Sequence, residues 1–475
     1  MIRIGVKGFL LWIIILVPIS LVFAQETWTR QIDLPGDQYV RGGAWYPNGN
    51  ILVYGDIRDP GGYDDPWVLC LTADGNILWQ RRYGDDRYEY VTSADITPSG
   101  DLYLAGSSEG ESFVINAGQE GELYWKRSYD MAVARLLVTN DDHVIMVGSF
   151  RSGDPAYDLQ IRLCKVDGAG DQIWVQTYGY NGDQAGEDLV PLEDGGYLIG
   201  GETQWYSYQH REYWTLRTDA SGALEWDQTW GVEDVQLNLT RVIRSQDGGF
   251  LFLGGGNGIR LLKLDSTGVE IWNTCHTTDE CYWNVNDLLE TPQGKIMVTG
   301  KQDYWGSPHG DFLLMQFDES GEMEWLESYS AAGIEWAKSI LPTPDGGYLL
   351  IGSTYDFRDG ESDCWLVKTD STGYVTPTGI QPSPTYVPRS LDLDLYPNPV
   401  NHECTFTLTL EQAANVRIVI YDQLGSEIWS TYHTATHAGI DRVRWELPAS
   451  IASGIYLIRA STGEASSTSR ILVLR

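Results

Sequence analysis

The sequence predicts an all-β protein, and three observations support that prediction. A five-residue phrase that begins with Gly and ends with Trp recurs about every 50 residues. Between its copies, short runs of Val, Ile, Leu, Tyr and Trp alternate with turns rich in Gly, Asp and Ser, which is typical of strands joined by tight hairpins. The chain also contains 52 Gly and 19 Trp, as many turns around a strand-rich core require. A repeat of this length with strand patterning predicts stacked or radially arranged sheets.

The phrase has six copies ahead of the C-terminal region. They occupy 75–79, 121–125, 170–174, 222–226, 268–272 and 321–325, so that successive Trp residues are 46, 49, 52, 46 and 53 residues apart. Each repeat contains four predicted strands; in 188–231 they are D-L-V-P-L, Y-L-I-G-G, Y-W-T-L-R-T-D and A-L-E-W-D-Q-T-W. A four-stranded meander repeated at this spacing predicts the blade of a β-propeller.

The seventh repeat lacks its fourth strand. Its first three strands run from Ser339 to Lys368, after which the sequence becomes rich in proline. The missing strand is found near the N-terminus, where E-T-W-T-R-Q-I at 26–32 places Trp28 51 residues before Trp79. We therefore predict a seven-bladed β-propeller that is closed by the N-terminal strand. The seven Trp residues are expected to pack between blades and to have no chemical role.

The two ends of the chain predict export and a second domain. Residues 1–24 combine Arg3 and Lys7 with an apolar run that ends at Ala24, which is typical of a secretory signal peptide. An uncleaved membrane anchor is the alternative. The predicted division is a signal peptide (1–24), the propeller (25–375), a Pro-rich linker (376–390) and an Ig-like β-sandwich (391–475), inferred from the spacing of seven short strands.

The charge of the chain excludes two classes of partner. There are 32 basic and 66 acidic residues, and removal of the signal peptide would change the net charge from −34 to −36. Nucleic acids and anionic membranes are bound by clustered Lys and Arg, so neither is an expected partner. After processing we expect a monomer that is not an integral membrane protein.

No catalytic or metal-binding motif stands out. G-S-S-E-G at 106–110 matches the nucleophile-elbow pattern, but it lies between two strands and no helix follows it. The seven His residues form no ligand motif. We expect no cofactor, with Ca²⁺ as the one metal considered, because an acidic loop could bind it although solvated carboxylates are the simpler interpretation. The carboxylates of that loop are Asp356, Asp359, Glu361 and Asp363.

The six cysteines also show no metal spacing. In an exported protein cysteines can pair, and we predict Cys275 with Cys281 as the candidate disulfide, because the two are close in sequence at a junction between blades.

The strand connections predict where a ligand would bind. Turns between strands one and two and between strands three and four are minimal, whereas the other connections are long, for example at 56–66, 204–212 and 302–311. Long loops are commonly functional, so a ligand site is predicted on the face that they form.

Aromatic residues on this long-loop face are the candidate ligand-binding residues. Ten residues before the first turn glycine, blades seven, one and two carry Trp336, Tyr39 and Tyr90, which predicts an aromatic arc. Exposed rings beside carboxylates suit sugars, whose C–H faces stack on aromatic rings. The alternative is that these rings anchor their own loops. The remaining candidates are Trp205, Tyr208, Trp283, Trp305 and Tyr355.

Charged residues alternate in sign three positions further along the same strands. Blades three to six carry Arg135, Asp188, Arg241 and Asp287. We predict an ionic network between blades near the central channel, which would fix blade register more than it adds stability. A polar channel mouth that orients a ligand is the alternative.

Two phrases resemble a known repeat. K-L-D-S-T-G-V-E-I-W at 263–272 and K-T-D-S-T-G at 368–373 are similar to the tryptophan-docking repeats of quinoprotein-like propellers. That family would imply eight blades, a vicinal Cys pair and a Ca²⁺-bound quinone. The present chain has seven predicted blades and no vicinal cysteines, so the resemblance supports the fold and argues against the cofactor.

The C-terminal region has a more specific resemblance. L-Y-P-N-P-V at 395–400, Y-D-Q-L-G-S-E-I at 421–428, S-G-I-Y-L-I at 453–458 and the terminal R-I-L-V-L-R resemble the type A C-terminal sorting domain of the type IX secretion system of Bacteroidetes-like bacteria. Arg470 stands where that family usually has Lys. The resemblance implies engagement of the type IX machinery, passage through the periplasm, and release or attachment at the outer-membrane surface. The residues that carry the sorting motif are Pro397, Asn398, Pro399, Gly454 and Tyr456.

Transport is therefore predicted more specifically than activity. The first hypothesis is a non-enzymatic surface propeller that binds a glycan or a protein through the long-loop face. The second is a secreted polysaccharide-degrading enzyme, a glycosidase or lyase, with two carboxylates in the same cleft. No catalytic residue is assigned.

Overall fold

The structure is a computed structural model of the chain. Its contacts divide the chain into two compact units, Met1–Thr376 and Pro377–Arg475. The predicted limits of the signal peptide and linker stay predictions, because 1–24 and 376–390 lie outside the described residues. The structure describes 25–474 apart from 35, 59–61, 85–86, 109–110, 140, 155–156, 181, 205–210, 232–236, 256–257, 279–280, 305–309, 332, 357–359, 376–390, 397–399, 411–413, 423–426, 436–438, 449–450 and 463–465.

The described part of the first unit consists of strands and turns. The strand β1 (Trp28–Ile32) precedes three blades, each a four-stranded antiparallel sheet in sequence order. These blades are β2 (Asp37–Trp45), β3 (Ile51–Arg58), β4 (Asp64–Leu71) and β5 (Ile77–Arg82); β6 (Glu89–Ile96), β7 (Leu102–Ser108), β8 (Glu111–Ala117) and β9 (Leu123–Tyr129); and β10 (Ala132–Val138), β11 (Val144–Asp154), β12 (Tyr157–Val166) and β13 (Gln172–Tyr178).

Blades four to six repeat the same arrangement. They are β14 (Asp183–Pro191), β15 (Tyr197–Gln204), β16 (Arg211–Thr218) and β17 (Leu224–Trp230); β18 (Asn238–Arg244), β19 (Phe250–Gly255), β20 (Ile259–Leu264) and β21 (Glu270–His276); and β22 (Cys281–Glu290), β23 (Ile296–Tyr304), β24 (Gly310–Phe317) and β25 (Met323–Tyr329). One parallel pair, Gly310 with Ile334, joins the sixth blade to the seventh.

The seventh blade confirms the predicted closure. Its chain-consecutive strands are β26 (Ile334–Pro342), β27 (Tyr348–Tyr355) and β28 (Ser362–Thr369), and β1 is the fourth. In this antiparallel pairing Trp28 lies opposite Lys368 and Gln31 opposite Trp365. The first strands contact one another in a closed ring of β2, β6, β10, β14, β18, β22 and β26. The fold is thus a seven-bladed propeller latched by its N-terminal strand.

The apolar core lies between neighbouring blades. Leu52 and Val68 of the first blade pack with Val91 and Leu104 of the second. Across the closure, Ile51 belongs to one buried cluster with residues of β1, β27 and β28. Each blade therefore buries both faces of its sheet, which explains why its middle strands are nearly continuous runs of apolar residues.

The recurring phrase has a three-dimensional explanation. The Trp of each copy packs against the Gly of the copy in the next blade: a Cβ added to Gly222 would lie 2.9 Å from the Trp174 ring. The same contact is made by all seven pairs, which are Trp28–Gly75, Trp79–Gly121, Trp125–Gly170, Trp174–Gly222, Trp226–Gly268, Trp272–Gly321 and Trp325–Gly373. Glycine is needed at these positions because φ is positive, +77° at Gly222, and because the ring occupies the place of a side chain.

The residue four positions after the Trp strengthens this contact. The Tyr129 hydroxyl donates to the carbonyl oxygen of Gly170 at 2.8 Å, and Tyr83 does the same to Gly121 at 2.9 Å. Tyr178 bonds the Gly222 carbonyl in the same way. In these blades the ring contact and a hydrogen bond together fix the blade on the turn of its neighbour.

The second unit is a two-layer β-sandwich. One sheet has the order β29-β30-β33 and the other β32-β31-β34-β35. Phe406, Trp429 and Trp445 meet in its core, with Phe406 stacked on Trp445 at 5.8 Å between ring centroids. The strands are β29 (Leu391–Tyr396), β30 (Glu403–Leu410), β31 (Ala414–Tyr421), β32 (Glu427–Ala435), β33 (Gly439–Glu446), β34 (Gly454–Ser461) and β35 (Ser466–Val473).

The predicted disulfide does not form in this structure, since Cys275 is exposed and free. Cys275 lies in the outer strand β21 opposite Arg260, whereas Cys281 begins the inner strand β22 opposite Tyr304. Proximity in sequence did not bring them together because the chain passes from the outside of one blade to the inside of the next. The side chain of Cys281 lies outside the described residues.

The Trp–Gly contact gives a testable expectation. Gly222→Ala should destabilise the propeller more than Gly248→Ala, because both replace a glycine of positive φ but only Gly222 faces a Trp ring. We expect a loss of about 1 kcal/mol for Gly248→Ala and a further ~1–3 kcal/mol for Gly222→Ala from overpacking. Denaturant unfolding of the two variants measures the difference. Equal losses would show that the ring yields without cost.

Candidate functional site

Every first strand carries a β-bulge at the same place. The pairing with the second strand shifts by one residue in all seven blades, for example between Val40 and Gly42 in β2. A bulge leaves its extra residue unpaired and redirects the side chain. The extra residues form a ring around the central channel: Arg41, Thr92, Ala134, Glu187, Thr240, Asn286 and Lys338.

These seven residues line one cavity of about 810 Å³. Its lining extends from Tyr90, near the start of β6, to Glu290, at the end of β22. The cavity is therefore the central channel, and it includes the short-turn ends of the first strands as well as the long-loop side. A ligand site on the long-loop face stays a prediction, as does the alternative of a polar channel mouth, and the cavity opens toward that face.

Tyr54 enters the channel from the second strand of blade one. Its ring passes over Gly42, where an added Cβ would lie 2.3 Å from the Tyr54 hydroxyl oxygen. Burial raises the pKa of Tyr54, and the carboxylates Asp287 and Asp95 add to the effect against Arg135 and Arg241. The phenol thus stays protonated, and its hydroxyl lies among the charges of several blades.

The four charged residues predicted for the channel lie in contact. Asp188 is 3.4 Å from Arg135 and 3.2 Å from Arg241, measured from carboxylate oxygen to guanidinium nitrogen. Arg241 is also 2.9 Å from Asp287. The four residues form a continuous chain of ion pairs across blades three to six, and a role of this chain in fixing blade register stays a prediction.

The carboxylates of this chain also bond backbone amides of the neighbouring blade. The Val242 amide donates to Asp188 at 2.8 Å, and the Ile340 amide donates to Asp287 at 3.1 Å. These amides belong to first strands, which pair with another strand on one side only. The carboxylates therefore accept the hydrogen bonds that a neighbouring strand would otherwise accept.

A second series of carboxylates lies nearer the long-loop side. The Val91 amide donates to Asp56 at 2.5 Å and the Leu239 amide to Glu202 at 2.7 Å. Burial raises the pKa of Asp56 to about 6, although Arg41 and the Val91 amide oppose the shift. Both carboxylates join one blade to the next.

The wall between blades six, seven and one is cationic. Burial lowers the pKa of Lys338 to about 8, and Arg41 and Lys301 lower it further by repulsion. Arg41 bonds Asp56 at 2.7 Å but keeps 42% of its side chain exposed, and Lys301 bonds Asp303 at 2.5 Å. Lys338 has no hydrogen-bond or ion-pair partner among the described residues.

The wall at blade four is acidic. Burial raises the pKa of Glu187 to about 8, and the charges of Glu202 and Asp188 raise it while Arg211 lowers it. Glu187 is therefore mostly protonated at neutral pH. The channel thus has an unpaired cation on one wall, which attracts an anion. The protonated carboxylic acid on the other wall carries no charge and does not repel it.

The predicted aromatic arc is only partly open. Tyr90 is 46% exposed and lines the channel. Tyr39 is partly buried under Arg58, whose guanidinium carbon lies 5.3 Å from its ring centroid, and Trp336 is partly buried under Lys301 at 4.6 Å. Two of the three rings are therefore covered by cations.

The other aromatic candidates fall into two groups. Trp283 packs against the core between blades five and six with a buried indole nitrogen, and Tyr355 is partly buried at the end of β27. Trp205, Tyr208 and Trp305 lie outside the described residues.

Two exposed tyrosines were missed by the blade alignment. Tyr63 and Tyr88 are 45% and 52% exposed, and their rings meet edge to face at 4.9 Å. Tyr88, just before β6, and Tyr90, in β6, lie on either side of the buried Glu89, and both are exposed. We call Tyr63, Tyr88 and Tyr90 the tyrosine patch. The alignment used turn positions, and Tyr63 and Tyr88 lie in connections of variable length.

A smaller cavity of about 530 Å³ lies between blades two and three. Asp130 and Phe150 line it, and Arg162 bonds the Asp130 carbonyl oxygen at 2.6 Å while its guanidinium carbon lies 3.2 Å from the Phe150 ring centroid. The Asp130 carbonyl oxygen and the Phe150 ring in its lining are thus already engaged by Arg162.

No group of three or more potential metal ligands occurs in the part of the chain that the structure describes. The acidic loop considered for Ca²⁺ lies partly outside this part, since Asp359 falls in the segment 357–359. Calcium binding by this loop stays a prediction.

The structure describes two of the five residues of the predicted sorting motif. Gly454 and Tyr456 lie in β34, and the Tyr456 hydroxyl donates to the Ala452 carbonyl oxygen at 3.0 Å. Pro397, Asn398 and Pro399 lie outside the described residues. No helix within the described ranges is long and apolar enough to cross a membrane.

Residues 394–474 match the family model of the secretion system C-terminal sorting domain. The chain is thus an all-β protein in which a seven-bladed propeller precedes a sorting domain. It is a cargo of the type IX secretion system, and this domain engages the secretion machinery for export to the cell surface or the medium.

Solved structures similar to this chain are distant. A protein of unknown function from Bacteroides caccae is 11% identical, with 62% of this chain and 94% of that chain covered and a TM-score of 0.37. An inactive virginiamycin B lyase from Staphylococcus aureus with quinupristin is 10% identical, covers 72% and 99%, and has a TM-score of 0.46. Puromycin hydrolase is 12% identical, covers 79% and 59%, and has a TM-score of 0.47. No curated protein matches the chain. These likenesses assign no activity.

The raised pKa of Glu187 predicts a pH-dependent gain in stability for Glu187→Gln. Because the pKa of Glu187 is higher in the folded than in the unfolded protein, ionisation of this carboxyl group destabilises the fold. This loss of stability develops as the pH rises from the unfolded value of 4.5 to about 8. The advantage of the variant should therefore grow over this interval and then level off on the order of 3 kcal/mol, after allowance for solvent screening.

Urea unfolding at pH 5, 7 and 9 measures this difference. Glu193→Gln is the control, because the Glu193 side chain on the same blade is 85% exposed. A constant difference across the three pH values would contradict the assigned protonation of Glu187.

Proposed function

We propose that the propeller is a non-enzymatic binding module, exported by the type IX system and displayed on the outer surface or released. Its ligand is a glycan or a protein, and the tyrosine patch favours a glycan. This patch is the observation that carries the proposal, because three exposed tyrosines lie at the boundary of two adjacent blades: Tyr63 in the β3–β4 connection, Tyr88 just before β6 and Tyr90 in β6.

The patch has the chemistry that sugar recognition requires. The flat rings of Tyr63, Tyr88 and Tyr90 offer faces on which the C–H groups of a pyranose can stack. Arg58 and Asp64, at the ends of the strands that flank Tyr63, form two hydrogen bonds of 2.6 Å each. Such a bidentate pair presents fixed donors and acceptors that can bond sugar hydroxyls.

Exposed tyrosines also bring little entropic cost to a binding site. A tyrosine side chain has two main torsions, and the edge-to-face contact of Tyr63 with Tyr88 already restricts both rings. A surface of clustered rings with no covering segment among the described residues is typical of an interaction site rather than of a core.

The alternative function is a secreted polysaccharide-degrading enzyme. It is favoured by Glu187, since a carboxylic acid with a pKa of about 8 is protonated at neutral pH as a general acid requires. Release of reducing ends from a bound glycan, lost in Glu187→Gln, would support the enzyme. Binding without release supports the module.

The binding proposal is tested on a glycan array with the secreted propeller. Tyr90→Ala and Tyr88→Ala should each weaken binding to the responding glycan about tenfold, which corresponds to roughly 1.4 kcal/mol for a lost stacking contact. Tyr124→Ala is the matched control, because Tyr124 is 55% exposed on the outer strand β9. Unchanged binding in both patch variants, or no response from any glycan, would contradict the proposal.

The export assignment is tested by deletion of 391–475. The truncated propeller should accumulate in the periplasm, because the segment that engages the secretion machinery is missing. Fractionation and surface proteolysis locate the protein. The propeller is a compact unit by itself, so a thermal melt of the truncated chain serves as the folding control. Normal surface display of the truncation would refute the assignment.

A further inference from the structure

We propose that the central channel binds the carboxylate of a sugar acid, with Lys338 and Arg41 as the anion-binding residues. The inference rests on the proposed glycan-binding function and specifies the class of glycan. It is carried by the ammonium group of Lys338, which lies in the cavity beside other cations and has no carboxylate partner among the described residues.

Lys338 is a cation of the channel without a carboxylate partner among the described residues. The β-bulge of β26 places this residue in the channel, where Arg41 and Lys301 add positive charge. Each of these neighbours has its own carboxylate, Asp56 and Asp303, but Lys338 has none among the described residues. An ammonium group that is partly buried beside other cations is unfavourable unless an anion joins it.

Arg41 and Tyr54 supply further hydrogen-bond donors to the same cavity. Arg41 uses its Nε for Asp56 and remains 42% exposed, so nitrogen atoms of its guanidinium group stay available. Tyr54 is 6% exposed as a residue and lines the same cavity, and its hydroxyl has no hydrogen-bond partner among the described residues. Both side chains can donate hydrogen bonds to an anion that enters the channel.

The Tyr90 ring and the size of the cavity favour a carboxylate that belongs to a sugar. Tyr90 lines the same cavity as Lys338 and Arg41 and offers an open ring for stacking. The volume of about 810 Å³ is in the range of small-ligand sites. A ligand with one carboxylate and one or two pyranose rings therefore matches the donors, the ring and the space.

The negative net charge of the chain disfavours a highly charged anionic ligand. The chain has a net charge of −34, so acidic peptides and polyanionic polymers are repelled on approach. A single carboxylate encounters much less repulsion, and Glu187 on the opposite wall is mostly neutral at pH 7. A uronic acid, free or at the end of a short glycan, is the expected ligand.

The experiment is calorimetric titration of the secreted propeller at pH 7 with glucuronate, galacturonate, glucose, galactose and acetate. We expect at least one uronate to bind tenfold or more tightly than its neutral parent sugar and than acetate. Lys338→Met should weaken uronate binding at least tenfold, and Lys338→Arg should retain it within about threefold. Lys295→Met is the control, because Lys295 lies in an exposed pair with Glu324.

The folded state of the variants is checked by thermal melts. Lys338→Met should melt at or above the wild-type temperature, because it removes an unpartnered ammonium group. If Lys338→Met fails to fold, the single variant Arg41→Gln is compared with Lys338→Arg. The first removes a positive charge from the channel and should weaken uronate binding, whereas the second keeps the charge.

The outcomes separate this inference from the proposed function. Equal binding of uronates and neutral sugars, or no effect of Lys338→Met on uronate binding, overturns the inference. If glycan binding is still lost in Tyr90→Ala, the proposed function stands. Acetate that binds as tightly as the uronates overturns the assignment of a sugar. A failure of every sugar and of the glycan array overturns both proposals.

Discussion

The contact between each repeated Trp and the turn glycine of the next blade is the constraint on which the propeller depends. Seven such contacts join seven blades, and the last one, from Trp28 to Gly75, requires the N-terminal strand to complete the seventh blade. A ring of this kind gains stability only when it closes, because every blade buries apolar surface against two neighbours. The latch therefore stabilises all blades and not only the one that it completes.

The inside of the ring follows a different rule. Tight Trp and Gly contacts hold the outer parts of the blades, but the first strands approach one another with an unpaired edge and a bulge in each. Their free amides need acceptors, and carboxylates such as Asp188 and Asp287 supply them across blade boundaries. The channel is consequently polar and charged. This requirement places Lys338, Glu187 and Tyr54 around one cavity.

The sequence predicted the architecture closely and the site less well. The repeated phrase and its glycines predicted the blade number, the closure by β1 and the short-turn face, because every blade repeats the same local pattern and the strand missing from the seventh repeat is present near the N-terminus. The sorting domain was found from its motifs. The tyrosine patch was missed in part, since Tyr63 and Tyr88 lie in connections that no repeat position marks. The pairing of Cys275 with Cys281 was wrong in this structure because nearness in sequence ignores the step from an outer to an inner strand.

What the sequence by itself determined is local in origin: short apolar strands between turns, glycines at the turns, an acidic composition and the sorting motifs. What only the tertiary structure decided is which distant residues meet. Lys338 and Arg41 belong to opposite ends of the propeller sequence, yet closure makes their blades neighbours. Lys338 is then left without a carboxylate partner among the residues that the structure describes. The physical reason is that ring closure and the inner bulges act on the whole assembly of blades, so the charges of the channel are balanced, or left unbalanced, only once all seven are in place.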